Sequence, residues 1–99
     1  MKRIYISGPM TGLCENNYPA FNAAAAKLRT EGWHVENPAE AIACDSWEVY
    51  MRLAIAQLVT CDAIYLLPGW GYSRGARIER ALSKELGMEL CFAGRELAL

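Results

Sequence analysis

A short apolar run followed by a glycine-rich loop constrains this chain more than any other feature. The run is AIYLL at residues 63–67, and it has no polar residue at alternate positions. Continuous apolar runs of this length are typical of strands covered on both faces of a parallel sheet. Pro68 and Gly69 then end the strand, so the pattern predicts a buried central strand that opens into the loop GWGYSRG at residues 69–75.

The residues after this loop predict a helix with one notable carboxylate. Ile78, Leu82 and Leu86 recur at helical spacing, and Gly87 stands where a left-handed C-terminal cap is expected. We expect these residues to form an inward apolar stripe. Glu79 would lie at its edge, in the first turn, and no Lys or Arg stands three or four positions away to pair with it on a helix surface.

The same alternation of strand and helix extends along the chain. Apolar and β-branched runs predict four strands, at residues 4–6, 33–36, 63–67 and 89–92. The first helix is predicted from Pro19 to Gly32, and the second from an Asp45–Glu48 capping box to about Thr60, with residues 38–44 as a loop or irregular turn. This pattern predicts a small three-layer α/β domain with a parallel four-stranded sheet in the order 2-1-3-4.

That strand order places the ligand site. The order in which the chain adds strands reverses between strands one and three, and ligands of open α/β sheets bind at the carboxyl ends of the strands at such a switch point. The loops at residues 7–12 and 69–75 would both open there. We therefore expect the two small-residue loops to form one site.

Composition excludes several classes of function. The 99 residues predict a single domain, and the net charge of −1 gives no basic surface for nucleic-acid polymers or anionic membranes. No segment approaches the ~20 apolar residues of a membrane span, and no signal peptide is recognisable, so we expect a cytoplasmic protein.

The cysteines do not indicate a metal site or a disulfide framework. Cys14, Cys44, Cys61 and Cys91 form no C-x-x-C pair, and His34 is the single histidine. We expect reduced thiols that act as small core residues, with no metal and no cofactor.

The loop at residues 69–75 only partly resembles known phosphate-binding motifs. Its last glycine interval is one residue too long for a dinucleotide fingerprint, and it lacks the G-K-[ST] of a P-loop. Two interpretations remain open. Ser73 and the small residues around it could let backbone N–H groups approach an anion, or the loop could be an ordinary connection with a serine cap.

Individual side chains also have two interpretations each. Glu79 could pair with a distant arginine, or the helix dipole could keep it ionised as a nucleophile. Tyr5 could orient that carboxylate or pack in the sheet. Trp70 and Tyr72 could stack on a base or cover an apolar patch.

Three segments together resemble a known group of proteins. They are YISGPMTG at residues 5–12, DAIYLL at residues 62–67, and S-x-G-x-x-x-E at residues 73–79 followed by Gly87. The combination resembles the nucleoside 2-deoxyribosyltransferase-like superfamily, and within it a group of small uncharacterised phage and bacterial proteins similar to nucleoside 5′-monophosphate N-glycosidases. The likeness runs from residue 3 to about residue 92.

The resemblance implies a Rossmann-like or flavodoxin-like fold, assembled as a homodimer or higher homo-oligomer, and chemistry at an N-glycosidic bond. It implies that Glu79 is the nucleophile and that Tyr5 positions it. Ser73 stands where transferases of free deoxynucleosides have an aspartate, so its neutral hydroxyl favours a 5′-monophosphate. The residues implied to bind substrate are Ser7, Gly8, Met10, Thr11, Asp62, Ser73, Gly75 and Ala76.

Three functions follow as hypotheses. The first is cleavage or transfer at the N-glycosidic bond of a (deoxy)nucleoside 5′-monophosphate. The second is a non-catalytic nucleotide-binding module, such as a sensor or ligand sponge, because no counterpart of the base-recognition residues is recognisable. The third is an interaction domain that uses its exposed aromatic residues.

Overall fold

The computed structural model describes residues 2–41 and 46–93. The strands are β1 (Arg3–Ser7), β2 (His34–Glu36), β3 (Ala63–Leu66) and β4 (Glu89–Phe92). The helices are α1 (Tyr18–Thr30), α2 (Pro38–Ala41), α3 (Trp47–Leu58) and α4 (Arg74–Glu85). Single 3₁₀ turns lie at Cys14–Asn17 and Trp70–Tyr72. No helix in the described part of the chain is long and apolar enough to cross a membrane.

The four strands form one parallel sheet in the order β2-β1-β3-β4, which confirms the predicted topology. In the central pair, Ile4 lies opposite Ala63 and Ser7 lies opposite Leu66. The carboxyl ends of β1 and β3 are therefore side by side at one edge of the sheet.

Helices cover both faces of the sheet, as the three-layer prediction requires. One apolar cluster joins Ile4, Ile6 and Tyr65 to the buried face of α1. The other joins Tyr5 and Ile64 to α3. Because successive side chains of a strand point to opposite faces, the alternation in β1 divides its side chains between the two clusters.

Helix α4 buries only part of the predicted apolar stripe. Leu82 is half-buried against the cluster around Tyr5, whereas Ile78 is 40% exposed and Leu86 is 54% exposed. The fully buried residues of α4 are the small or polar Ala76, Glu79 and Ser83. The helix ends as predicted, with Gly87 at a φ of 72°.

The region before α3 also differs from the prediction. Residues 38–41 form the short helix α2 rather than a loop. The side chain that caps α3 is Ser46, whose Oγ accepts the Val49 N–H at 3.2 Å. Asp45, the predicted cap, lies outside the described residues.

The cysteines differ in their burial. Cys61 is buried, Cys91 is half-buried and Cys14 is exposed. Cys14 is therefore not the core residue that the sequence predicted, and Cys44 lies outside the described residues.

Candidate active site

A cavity of about 310 Å³ opens at the carboxyl ends of β1 and β3, where the strand order predicted a ligand site. Residues from β1, the loop after it, the start of α3 and the first half of α4 enclose it. Its lining includes Tyr5, Ser7, Gly8, Met10, Thr11, Asn16, Tyr18, Trp47, Tyr50, Met51, Ser73, Gly75, Ala76 and Glu79.

Glu79 lies at the floor of this cavity, with only 4% of its surface exposed. The Tyr5 hydroxyl donates to Glu79 Oε2 at 2.7 Å, and the Ser7 hydroxyl donates to Oε1 at 2.6 Å. Tyr5 and Ser7 are two positions apart in β1, so both side chains point to the face that α4 covers. Both carboxylate oxygens are thus fixed by hydroxyl donors from one strand.

Burial dominates the electrostatics of Glu79. It raises the pKa of the carboxyl from its usual value near 4.5 to about 7, while the hydrogen bonds from Ser7 and Tyr5 act in the opposite direction. Within residues 2–41 and 46–93, no Lys, Arg or His forms an ion pair with Glu79. The alternative of a carboxylate paired with a distant arginine is therefore wrong for the described residues.

The helix dipole affects the ionisation of Glu79 less than the sequence suggested. Glu79 is the sixth residue of α4, in its second turn, and the first turn carries no acidic residue. Dipole effects fall off within the first turn, so the expectation that the dipole keeps this carboxylate ionised is wrong. Desolvation instead places its protonation equilibrium close to neutral pH. The same burial, together with the charge of Glu79, raises the pKa of Tyr5 well above its usual value.

Gly8 permits a close approach between β1 and β3 at the edge of the cavity. A Cβ added there would lie 2.8 Å from Leu67 Cβ. The loop that continues from Gly8 brings Met10 and Thr11 to the cavity wall. Gly8 thus determines how tightly the first loop folds over the sheet edge.

The turn that ends this first loop has an uncommon backbone. Glu15, Asn16 and Asn17 all have φ between 52° and 61°, a region that non-glycine residues rarely adopt. The Asn17 side-chain amide donates to the Pro9 carbonyl at 2.9 Å, which ties the two ends of the loop together. This turn holds Asn16 against the cavity.

Ser73 is the side-chain cap of α4, which was one of its two predicted roles. Its Oγ accepts the Ala76 N–H at 3.2 Å. Ala76 lines the cavity, and its N–H is occupied by this cap. The Ser73 hydroxyl proton remains available as a donor, since the cap uses Oγ as an acceptor.

Gly75 also lines the cavity, in close contact with α3. A Cβ at this position would lie 2.9 Å from Met51 Sδ and 4.0 Å from an aromatic carbon of Trp47. A side chain here would have to displace Met51, whereas Trp47 would be in ordinary van der Waals contact, so Gly75 permits the close approach of α4 to α3.

Asp62, which the resemblance implied as a substrate-binding residue, lies away from the cavity. It lies at the amino end of β3, at the opposite edge of the sheet, and its carboxylate accepts the Arg3 backbone N–H at 2.9 Å. Its position identifies it as a residue that ties β3 to β1. His34 is likewise remote and exposed, with Nε2 3.2 Å from Glu36 Oε2.

The aromatic residues of the cavity are not the ones singled out in the sequence. Tyr18, Trp47 and Tyr50 line it, whereas Trp70 packs against Phe92 with ring centroids 6.1 Å apart. Neither Trp47 nor Tyr50 was predicted to line the site. Both lie in the first turn of α3, at the end nearest the carboxyl edge of the sheet. This position in the predicted fold could have identified them as residues of the site.

A second cavity of about 390 Å³ adjoins the first. Met10, Thr11, Trp47, Ser73 and Gly75 line both of them. We call the cavity with Glu79 the inner cavity and the second the outer cavity.

The outer cavity adds one cationic side chain. Arg74 lines it, and the Arg74 guanidinium carbon lies 4.1 Å from the centre of the Trp47 ring. Tyr72, which is 94% exposed, forms part of its rim.

Comparisons with known proteins agree with this architecture. Residues 2–92 match a family model described as a domain of unknown function, DUF4406. The fold also matches the structure of a 2-desoxiribosyltransferase from Leishmania mexicana, with a TM-score of 0.74 and 23% sequence identity. That match covers 93% of this chain and 63% of the other chain. The search of curated proteins returned no match.

A likeness at this identity shows the fold alone. At that level it confirms the predicted α/β fold with its parallel four-stranded sheet. The chain spans less than two-thirds of the length of the protein from Leishmania mexicana, so the activity in that protein's name does not carry over with the fold.

Proposed function

This chain belongs to the DUF4406 family, and we propose that it cleaves or transfers the N-glycosidic bond of a (deoxy)nucleoside 5′-monophosphate with Glu79 as nucleophile. The proposal rests mainly on the burial and the hydrogen bonding of the Glu79 carboxylate. Glu79 is buried at the floor of a cavity, and both of its oxygens accept hydrogen bonds from β1. A carboxylate that is desolvated, oriented and without a cationic partner is typical of a catalytic group rather than a structural ion pair.

The hydrogen bonds of Glu79 leave it able to react. Each carboxylate oxygen has two lone-pair directions, and Tyr5 and Ser7 occupy one on each oxygen. The remaining lone pairs are free to meet an electrophilic carbon. Because rotation of the carboxylate is restrained at both oxygens, its approach to that carbon is preorganised.

The reaction follows the logic of retaining glycosidases. A Glu79 oxygen forms a bond to C1′ while the C1′–N bond breaks, and the bonding pair leaves with the base, which takes a proton from water. In the second step water attacks C1′ and gives its proton to the hydroxide left by the first step, while the bond between C1′ and Glu79 breaks and the carboxylate is restored. Hydrolysis then yields free base and sugar 5-phosphate, whereas attack by the nitrogen of another base yields transfer.

The cavity walls support a nucleoside-like substrate. Tyr18, Trp47 and Tyr50 provide aromatic faces near Glu79, and planar bases stack favourably on such faces. The neutral hydroxyl of Ser73 at the cavity wall does not repel a phosphate as a carboxylate would. Both features favour a nucleotide over a simple sugar.

The test is the release of free base from a panel of nucleosides and nucleoside 5′-monophosphates, measured by chromatography. In Glu79→Gln, which keeps the size of the side chain but lacks its nucleophilic oxygen, we expect release to fall by about 10³-fold or more. Glu85→Gln is the matched control, because Glu85 is an exposed carboxylate on the same helix. Full activity in Glu79→Gln would refute the proposal.

One observation favours a second candidate, a nucleotide-binding module without turnover. Glycosidases usually employ two carboxyl groups, and within residues 2–41 and 46–93 no carboxylate other than Glu79 lines either cavity. Calorimetry that detects nucleotide binding, together with no base release over a long incubation, would select this candidate over the enzyme.

A further inference from the structure

The two adjoining cavities contain side chains of opposite charge type. Glu79 lies at the floor of the inner cavity, and Arg74 lies in the outer cavity. Among the residues that the structure describes, these two provide the carboxyl group and the guanidinium group that line the joined cavities. A ligand that occupies both cavities would therefore meet a carboxylate at one end and a guanidinium at the other.

Arg74 is held in place without an ionic partner. Its guanidinium stacks on the Trp47 ring, and it forms no ion pair with any residue in the described ranges. Stacking on an aromatic ring orients the planar guanidinium but uses none of its five N–H donors in a salt bridge. The donors of Arg74 thus remain available to an anion from outside the chain.

The dimensions of the cavities indicate a ligand that extends between them. The inner cavity, at about 310 Å³, is at the lower end of the ~300–1,000 Å³ that small-molecule sites usually occupy. Trp47 and Ser73 form part of the wall of both cavities. A ligand with its reactive carbon at Glu79 can therefore reach the outer cavity past Ser73.

We propose that Arg74 is the residue that selects a phosphorylated substrate, by binding the phosphate in the outer cavity while the sugar carbon faces Glu79 in the inner cavity. This inference rests on the proposed function, because it assumes a nucleoside-like substrate. Guanidinium groups bind phosphate oxygens through two parallel N–H donors, which provides direction as well as charge. The ionised form of Glu79 repels a phosphate from the inner cavity, and this repulsion favours the orientation with the phosphate at Arg74.

Calorimetry on the full chain tests this assignment. The ligands are a 2′-deoxynucleoside 5′-monophosphate and the corresponding free nucleoside, and the proteins are wild type, Arg74→Gln and Arg52→Gln. Arg52 is exposed on α3 and lines neither cavity, so its substitution makes the same charge change away from the site. Arg74→Gln should fold normally, because removal of a positive charge from the first turn of a helix does not oppose its dipole.

We expect wild type and Arg52→Gln to bind the monophosphate about 10- to 100-fold more tightly than the nucleoside, and Arg74→Gln to bind the two within about threefold. The inference is overturned if the preference persists in Arg74→Gln, or if wild type binds the two ligands equally or binds neither.

The same ligands separate this inference from the proposed function. Phosphate-dependent binding through Arg74 without release of base would refute the reaction and leave the role of Arg74 intact. Release of base at equal rates from nucleoside and monophosphate would refute the role of Arg74 and leave the reaction intact.

Discussion

Replacement of Glu79 by Gln is expected to remove the pH dependence of stability that this carboxyl introduces. Burial raises the pKa of Glu79 to about 7 in the folded chain, against a usual value near 4.5 for an exposed glutamate. Between these two values the folded chain retains a proton that the unfolded chain has lost. The stability that the protonated Glu79 contributes to the folded state is therefore fully present below about pH 4.5 and is lost as the pH rises towards 7. Above the folded-state pKa this contribution changes no further.

The magnitude follows from the same two values. A difference of this size corresponds to about 3 kcal/mol in full, and about 2–3 kcal/mol of it falls between pH 5 and pH 8. With a urea dependence of about 1–2 kcal/mol per M for a domain of this size, the unfolding midpoint of the wild type should fall by about 1–3 M across that range. Glu79→Gln carries no ionisable group at this position and should lack that decrease.

Urea unfolding followed by circular dichroism at pH 5, 6, 7 and 8 measures this difference. Comparison of the variant with wild type cancels every titrating group that the two share. Glu85→Gln, which alters an exposed carboxylate of α4, should retain the wild-type pH dependence.

Two results would refute the reasoning. One is a urea midpoint that changes by the same amount between pH 5 and pH 8 in wild type and in Glu79→Gln. The other is a midpoint that rises with pH in wild type but not in the variant, since this would mean that folding lowers the pKa of Glu79.

The remaining predictions concern two residues at the end of β1. Ser7→Ala removes a hydrogen bond that lowers the pKa of Glu79, so the pKa should rise further in this variant. Because base release requires the ionised carboxylate, the pH at which the rate rises should move to a more alkaline value, and the rate at pH 7 should fall about tenfold. An unchanged pH–rate profile would contradict this. Gly8→Ala places a Cβ 2.8 Å from Leu67 Cβ, so thermal or urea unfolding should show a loss of about 1–3 kcal/mol, and a fully stable variant would show that the loop relaxes freely.

The topology was predictable because it depends on patterns that are local in sequence. The four strands are apolar runs with glycine or proline nearby, and the links between them are long enough for parallel pairing. Gly87 was predicted as a helix cap for a similarly local reason, since a left-handed residue at a helix end favours glycine.

The inward face of α4 was not predictable in this way. Spacing placed Ile78, Leu82 and Leu86 on the inward face with Glu79 at its edge, whereas α4 fully buries Ala76, Glu79 and Ser83, half-buries Leu82 and leaves Ile78 and Leu86 exposed. A carboxylate is buried only where hydrogen-bond donors are available to it. The donors to Glu79 come from β1, more than 70 residues earlier in the chain. Periodicity within one helix holds no information about such partners.

The sequence by itself determined the order of the elements, the parallel sheet and the identity of Glu79 as a candidate group. Only the tertiary structure decided which side chains meet it, that its pKa is raised rather than held low, and that Trp47 and Arg74 form a second cavity beside it. The physical reason is that strand and helix patterns are local along the chain, while burial and charge at a site depend on every element packed around it.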